Sequence, residues 1–277
     1  DRRQRQMCIR DSLKDASATA IYGSRAANGV IVIETKMPEK GRLTASYNFN
    51  ATVEIPDLTD YDLLNAAEKL EFERLAGVYK DKDGNIGQQR KLDRLYESRH
   101  KEVLRGVNTY WLSQPVKNAF SHAHSLFVEG GADNVRYGID ASYNQNKGVM
   151  KESGRDRFGL GFSLIYRIKD KITIKNYISY AHTHAYNSPY GSFSQYAKLN
   201  PYERIYNDNG ELIPKLSDGD TNPLYDALLP NRNFTKDQEF REQLSVDWFI
   251  CDGLRLKGQM AIVKGETSGE IYKSPFS

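Results

Sequence analysis

The segment FGLGFSLIYRIKDKITIKNYISYAHTH, residues 158–184, decides the fold class of this 277-residue chain. In its first ten residues, large apolar side chains at every second position alternate with mostly small or polar ones. This period of two predicts a β-strand whose two faces differ in chemistry. A tight turn, KDK at 169–171, precedes a noisier strand at 172–184 that carries Asn176 on its apolar face. We therefore predict that the two strands form an antiparallel hairpin.

The same alternation recurs along the chain, in segments 43–53, 121–129, 137–143, 244–250 and 254–262. The connections between strands alternate between short ones at 130–134, 169–171 and 251–253 and longer ones at 54–120, 146–156 and 185–240. Neighbouring antiparallel strands then have all their short turns at one end and all their long loops at the other. This sorting is typical of an outer-membrane barrel. We predict a mainly β fold, a partial transmembrane antiparallel barrel of about seven strands.

Aromatic residues on the apolar faces support this interpretation. Three lie near the short turns, Tyr137, Tyr166 and Trp248, and three lie near the long-loop ends, Tyr143, Phe158 and Tyr180. Transmembrane barrels carry such aromatic girdles at both membrane interfaces. A large soluble β-sandwich with tyrosine-rich strands remains the alternative at this point.

Composition excludes several classes of function. Mean hydropathy is -0.66, and the sequence contains no stretch of about 20 apolar residues that would predict a membrane helix. The net charge of +3 is too small to indicate nucleic-acid binding. We find no catalytic motif and predict no enzyme activity and no cofactor. The pairs His122/His124 and His182/His184 each lie on one strand face, but two ligands do not make a closed metal site.

The first twelve residues, DRRQRQMCIRDS, differ from the rest of the chain. They are strongly basic and contain no apolar core of a signal peptide. We interpret residues 1–12 as a foreign-looking leader and leave them out of the fold prediction.

The segment LKDASATAIYGSRAANGVIVIETK, residues 13–36, resembles the end of the plug domain in SusC/RagA-like TonB-dependent outer-membrane transporters. The resemblance continues through LLNAAEKLEFE at 63–73 and NPYERIYNDNGELI at 200–213 to the last residues of the chain. It implies a short helix over 14–20 and a plug strand over 30–35. It also implies structural roles in the plug motif for five residues, Tyr22, Gly23, Arg25, Asn28 and Gly29.

The resemblance also implies a domain division and a function. Residues 13–37 would be the C-terminal end of a plug, and residues 38–277 the first part of a barrel that has about 22 strands in the family. The whole protein would import oligosaccharides or peptides across the outer membrane of a Gram-negative bacterium. It would work with a SusD-like surface lipoprotein, and with TonB through an N-terminal part that precedes this chain. A soluble, tyrosine-rich carbohydrate-binding β-protein and a glycan-cleaving enzyme are the alternatives.

The long connections carry the remaining predictions. We expect one helix after a capping pair formed by Thr59 and Asp62, and a second helix within 88–104. The DKDGN segment at 81–85 begins like a calcium loop but lacks the final bidentate glutamate. In the loop 185–240, aromatic and amide side chains together suit sugars or peptides. The candidate contact residues for a substrate or a partner are Tyr190, Phe193, Tyr196, Tyr202 and Tyr206. Alternatively, these aromatics pack the loop on itself and on the lipoprotein.

Overall fold

The computed structural model describes residues 8–13, 30–35 and 37–276, which form two separate antiparallel sheets. The smaller sheet pairs β1 (Cys8–Leu13) with β2 (Val30–Thr35), and Leu13 lies opposite Val30. The strand predicted at 30–35 is confirmed. The sequence pattern did not predict β1, because CIRDSL mixes apolar and charged residues without alternation and is ordered by pairing with β2.

The predicted end of the plug domain stays a prediction, because most of its residues lie outside the described segments. β1 includes part of the segment interpreted as a foreign-looking leader, and that interpretation also stays a prediction. The helix expected over 14–20 lies outside the described residues, as do all five residues of the plug motif, Tyr22, Gly23, Arg25, Asn28 and Gly29.

The larger sheet contains seven strands in sequence order, each hydrogen-bonded to the next. They are β3 (Gly41–Glu54), β4 (Ala119–Gly131), β5 (Val135–Lys147), β6 (Gly154–Ile168), β7 (Ile172–Tyr186), β8 (Arg232–Cys251) and β9 (Leu254–Tyr272). The predicted hairpin is confirmed, since β6 pairs with β7 along their whole length and Phe158 faces His182. The open, one-layer arrangement fits part of a barrel and differs from the two stacked sheets of a sandwich.

The turns and loops are sorted between the two ends of this sheet as predicted. In the β6–β7 turn, Lys169 and Asp170 have φ angles of 48° and 53°, and Gly253 has 82° in the β8–β9 turn. Left-handed backbone of this kind closes tight hairpins. At the other end, loops of very different length join the strands, at 55–118, 148–153 and 187–231. The middle one is shorter than the predicted 146–156 because β5 and β6 continue pairing up to Lys147 and Gly154.

The two faces of the larger sheet carry different side chains. We call the face that contains Leu160 the outer face and the face that contains Gly161 the inner face. On the outer face, Leu160, Phe162 and Tyr166 each expose about two fifths of their surface, and the apolar residues of the neighbouring strands extend this surface. The sheet therefore leaves a broad apolar surface uncovered in the described part of the chain.

Mostly small and polar residues line the inner face. Asp140 lies opposite Gly161, and a side chain at Gly161 would collide with the Asp140 carboxylate. Pro38 is fully buried against Gly138, beside Ser163. The chain thus approaches β3 across the inner face.

Helices occur in the two longest loops. The first loop contains α1 (Ala66–Leu75), α2 (Ile86–Leu104) and a 3₁₀ turn at Trp111–Ser113; the second contains α3 (Phe193–Ala197) and α4 (Pro223–Asp226). The helix predicted within 88–104 is confirmed. Among the helices of the described segments, none is long and apolar enough to span a membrane.

Candidate functional site: the long-loop block

The loops 55–118 and 187–231 pack against each other into one unit, which we call the long-loop block. Its first core joins Trp111 and Leu112 of one loop to Tyr196, Leu216 and Leu224 of the other. Trp111 and Tyr196 are 2% and 1% exposed, so these side chains are removed from solvent without help from the sheet. Apolar burial of this extent stabilises the block as a unit.

A second core lies around α1 and α2. Ala66, Leu70 and Tyr79 pack around Tyr202, which comes from the other loop and is 2% exposed. Its aromatic ring lies 4.9 Å from the guanidinium carbon of Arg99, a cation–π contact. Tyr202 therefore links the first loop to the second.

A buried carboxylate organises the polar part of this second core. Glu73 accepts hydrogen bonds from the hydroxyl groups of Tyr79, at 2.6 Å, and Tyr202, at 3.0 Å. Arg99 donates to the Tyr79 hydroxyl at 3.0 Å and lies 3.8 Å from Glu73. Charged groups buried together remain favourable only when they are paired and hydrogen-bonded, as these are.

Backbone groups also connect the two loops. The Trp111 indole donates to the Asn200 carbonyl at 2.9 Å, and the Thr109 amide donates to the Pro201 carbonyl at 2.7 Å. The Thr109 hydroxyl donates to the Glu203 carbonyl at 2.7 Å. These bonds fix the register between the loops and hold the block in one arrangement.

The five predicted contact residues occupy three different environments. Tyr196 and Tyr202 lie inside the two cores, where burial raises the pKa of both phenols far above the usual value. Tyr190 and Phe193 are half-buried at the edge of the first core, and Tyr206 is 52% exposed. In this arrangement Tyr196 and Tyr202 have almost no surface for a ligand, because the loop packs them on itself. Direct contact stays a prediction for all five residues, and exposure favours Tyr190, Phe193 and Tyr206.

A half-open cleft of about 480 Å³ lies where the block meets β7, β8 and β9 at the long-loop end of the sheet. Tyr190 lines it together with the aromatic residues Tyr186, Phe234 and Tyr272, the amides of Asn187, Asn231 and Asn233, and the charged groups of Glu152, Asp226 and Arg232. Aromatic faces beside amides and charged groups suit polar organic ligands such as sugars or peptides. Of the five predicted residues, only Tyr190 contributes to this cleft.

The chain is similar to TonB-dependent receptors and to a peptide importer. The TonB-dependent receptor SusC of Bacteroides thetaiotaomicron is 32% identical over 153 residues, 55% of this chain and 13% of that protein. TonB-dependent receptor P26 of Formosa agariphila is 26% identical over 202 residues, 72% of this chain and 19% of that protein. Structures of the RagAB peptide importer in the 'open-open' and 'closed-closed' states match with TM-scores of 0.71 and 0.68.

The chain is SusC/RagA-like. The RagAB matches have 20% and 21% identity, so they show the fold alone; each covers 96% of this chain and 33% of the solved chain. The SusC/RagA-like chain thus spans less than a fifth of the curated relatives it matches and a third of those solved chains. No protein-family model matches it.

The cap predicted for α1 of this SusC/RagA-like chain is wrong. The cap is Asn65, whose side chain accepts from the Glu68 amide at 2.9 Å while Glu68 accepts from the Asn65 amide at 3.0 Å. Thr59 instead bonds to Asp57. The buried positions are Ala66, Leu70 and Glu73, because Asn108 and the second loop fix which side of the helix is covered.

Glu73 and Arg99 are the residues that the sequence prediction missed. Glu73 follows Ala66 and Leu70 at helical spacing, and Arg99 lies between Leu95 and Val103 at the same spacing. A charged residue in an otherwise apolar stripe on each of two helices was the available signal.

The structure gives the calcium-like loop another role and shows no metal-binding cluster in the described segments. Asp81 and Asn85 of the DKDGN segment cap α2, since Asn85 accepts from the Gly87 amide at 2.9 Å and donates its own amide to Asp81. In the parts of the chain that the structure describes, no three His, Cys, Asp or Glu side chains are placed to hold a metal ion.

Proposed function

We propose that this chain is part of a TonB-dependent importer in the outer membrane of a Gram-negative bacterium. The observation that carries the proposal is the exposed apolar outer face on a RagA-like sheet whose inner face is polar. Lipid would cover the outer face, and the plug would occupy the inner side. Transport would be conformational: TonB would pull on the plug and open a polar path along the inner face.

The alternative is a soluble, tyrosine-rich carbohydrate-binding protein. A soluble sheet needs a second layer over its apolar face, because contiguous exposed apolar patches larger than a few hundred Å² are rare in monomeric soluble proteins. In the described segments no helix packs on the outer face of β3 to β9, and Leu43, Tyr47, Leu256 and Met260 are at least half exposed. This arrangement favours the importer.

The long-loop block supports the proposed substrates and partner. Oligosaccharides or peptides would reach the barrel past the long-loop block, and a SusD-like lipoprotein would lie over the block. Tyr190, Phe193 and Tyr206 would make contacts, whereas Tyr196 and Tyr202 would hold the block in shape. The structural similarity to a peptide importer supports peptides as one of the two substrate classes.

The proposal is tested with the whole protein in cells. We expect uptake of a labelled oligosaccharide or peptide to require the protein and the proton gradient that energises TonB, and the purified protein to need detergent. Tyr190→Ala together with Tyr206→Ala should reduce uptake or lipoprotein binding, with Leu228→Ala, exposed in the same loop, as the control. The proposal would be overturned if the purified protein stayed soluble without detergent. It would also be overturned if cells that lack the protein took up the substrate unchanged.

A further inference from the structure

Four of the five histidines of the chain lie together on the outer face of the sheet. His122 and His124 are on β4 and His182 and His184 are on β7, all toward the ends that join the long loops. On the strands between them, Tyr143 lies opposite His124 and Phe158 lies opposite His182. The histidines therefore belong to one continuous band across the sheet.

This band begins where the apolar surface ends. One register step toward the short turns from Phe158 and His182, Leu160 lies opposite Tyr180. One step toward the long loops, Asp156 lies opposite His184, and His184 lies opposite Lys236. If the outer face contacts lipid, as the proposed function requires, the band lies where hydrocarbon gives way to headgroups. The aromatic residues on the side of the band nearest the short turns fit this position.

Aromatic rings contact three of the four histidines of the band. The rings of His122 and His124 lie 5.0 Å apart, and the Tyr47 hydroxyl and His124 Nδ1 are 2.5 Å apart. His184 lies 5.6 Å from both Tyr186 and Phe234. These contacts orient the three imidazoles along the sheet surface.

Lysines in the band are held by the same aromatic groups. Lys147 donates to the Tyr186 hydroxyl at 2.6 Å, and the Lys236 ammonium lies 5.2 Å from the centre of the Phe234 ring. We call the group His122, His124, Lys147, Asp156, His182, His184 and Lys236 the histidine belt. It combines fixed donors with two permanent cations and one carboxylate.

Two polar atoms of the histidine belt are buried without a hydrogen-bond partner in the described part of the chain. They are Nδ1 of His122 and Oδ1 of Asp156, which lie on either side of Gln145 in the register. Buried polar atoms without partners are uncommon and call for an explanation such as an unobserved ligand. A partner at this position would approach from the outer face.

We propose that the histidine belt binds the anionic, phosphate-bearing headgroups of lipids in the outer leaflet, more strongly at acidic pH. The proposal rests on the proposed function, which places the outer face in a membrane. Histidine is the side chain that changes charge between pH 5 and 8. With all four histidines protonated, the belt would carry six positive charges, instead of the two of its lysines, against the one negative charge of its aspartate.

The belt's surroundings include other groups that titrate or carry charge. Tyr47 faces it from β3, Tyr143 from β5, Tyr186 from β7, Arg232 from β8, and Lys264, Glu266 and Glu270 from β9. The two glutamates lie beyond β8, at the far edge of the belt. The cationic end is thus the part over β4 to β8, where a phosphate can accept hydrogen bonds from imidazole and ammonium groups together.

The test uses the whole protein, purified with a mixture of phosphatidic acid and phosphatidylcholine. Lipid retained through a detergent wash is measured by mass spectrometry at about pH 5.5 and about pH 7.5. We expect the ratio of retained phosphatidic acid to phosphatidylcholine to rise about tenfold at the lower pH. Replacing the four belt histidines by Gln should remove this rise, and His100→Gln, in α2 of the long-loop block, should keep it.

A second variant guards against loss of folding in the first. Asp156→Asn removes the belt's carboxylate and should raise the ratio at both pH values. Equal ratios in the wild type and in both variants would overturn the lipid proposal while leaving the importer intact. A protein that neither needs detergent nor retains lipid would overturn the proposed function itself.

Discussion

The seven-stranded sheet and the long-loop block treat their apolar side chains in opposite ways. The block encloses its own, so Trp111, Leu112 and Tyr202 are at most 2% exposed. The sheet leaves Leu160 and Leu256 more than 40% exposed on its outer face. Hydrophobic burial stabilises a structure only where the surrounding medium is water. The block therefore buries its own apolar residues, whereas the outer face of the sheet stays exposed and would be covered by lipid in the proposed function.

The largest effect on stability is expected at Tyr202, in the core of the block. Tyr202→Ala removes a fully buried ring and its hydrogen bonds to Glu73, which should destabilise the block by about 3–5 kcal/mol. Hydrogen exchange of the α1 and α2 amides in the whole protein measures this as local opening. Tyr206→Ala, at an exposed site in the same loop, should change the opening free energy by less than about 0.5 kcal/mol. Equal protection in both variants would mean that the block does not depend on its own core.

The next effect concerns the outer face of the sheet. Leu160→Arg should cost roughly 2–4 kcal/mol of folding free energy in lipid vesicles, the penalty for a cation facing the middle of a bilayer. Folding titrations of the whole protein into vesicles measure this value.

Two inner-face substitutions serve as controls for Leu160→Arg. Gln243→Arg should cost much less, because Gln243 is exposed on the inner face. Ser163→Arg is the more demanding control, because Ser163 lies beside Gly138 and the buried Pro38. A cost at Gln243 as large as that at Leu160 would mean that the outer face does not contact lipid.

The same comparison explains what could be predicted from the sequence. The strands were predictable because alternation is a local pattern, and Leu160 and Ser163 reveal their faces without knowledge of distant residues. The block was not, because Glu73 meets Tyr202 across 129 positions and Arg99 meets Ser217 across 118. Aromatic residues in a loop therefore predicted a contact region, but they could not distinguish the residues of the loop's core from those on its surface.

The smallest expected effect separates the predicted helix cap from the observed one. Asn65→Ala removes the side chain that accepts from the Glu68 amide, and loss of such a cap costs typically ~1 kcal/mol. Thr59→Ala removes only a hydroxyl bonded to Asp57 on the exposed surface, so its effect should stay within about 0.5 kcal/mol. Hydrogen exchange of the first turn of α1 reads both variants directly, because the amides of that turn depend on the cap.

Both helix-cap variants leave Tyr202 and its contacts in place. The effect of Asn65→Ala should therefore be confined to the start of α1, with protection of α2 unchanged. A larger loss for Thr59→Ala would restore the capping pair predicted from the sequence. It would also mean that local pattern, rather than packing against the second loop, decides where this helix begins.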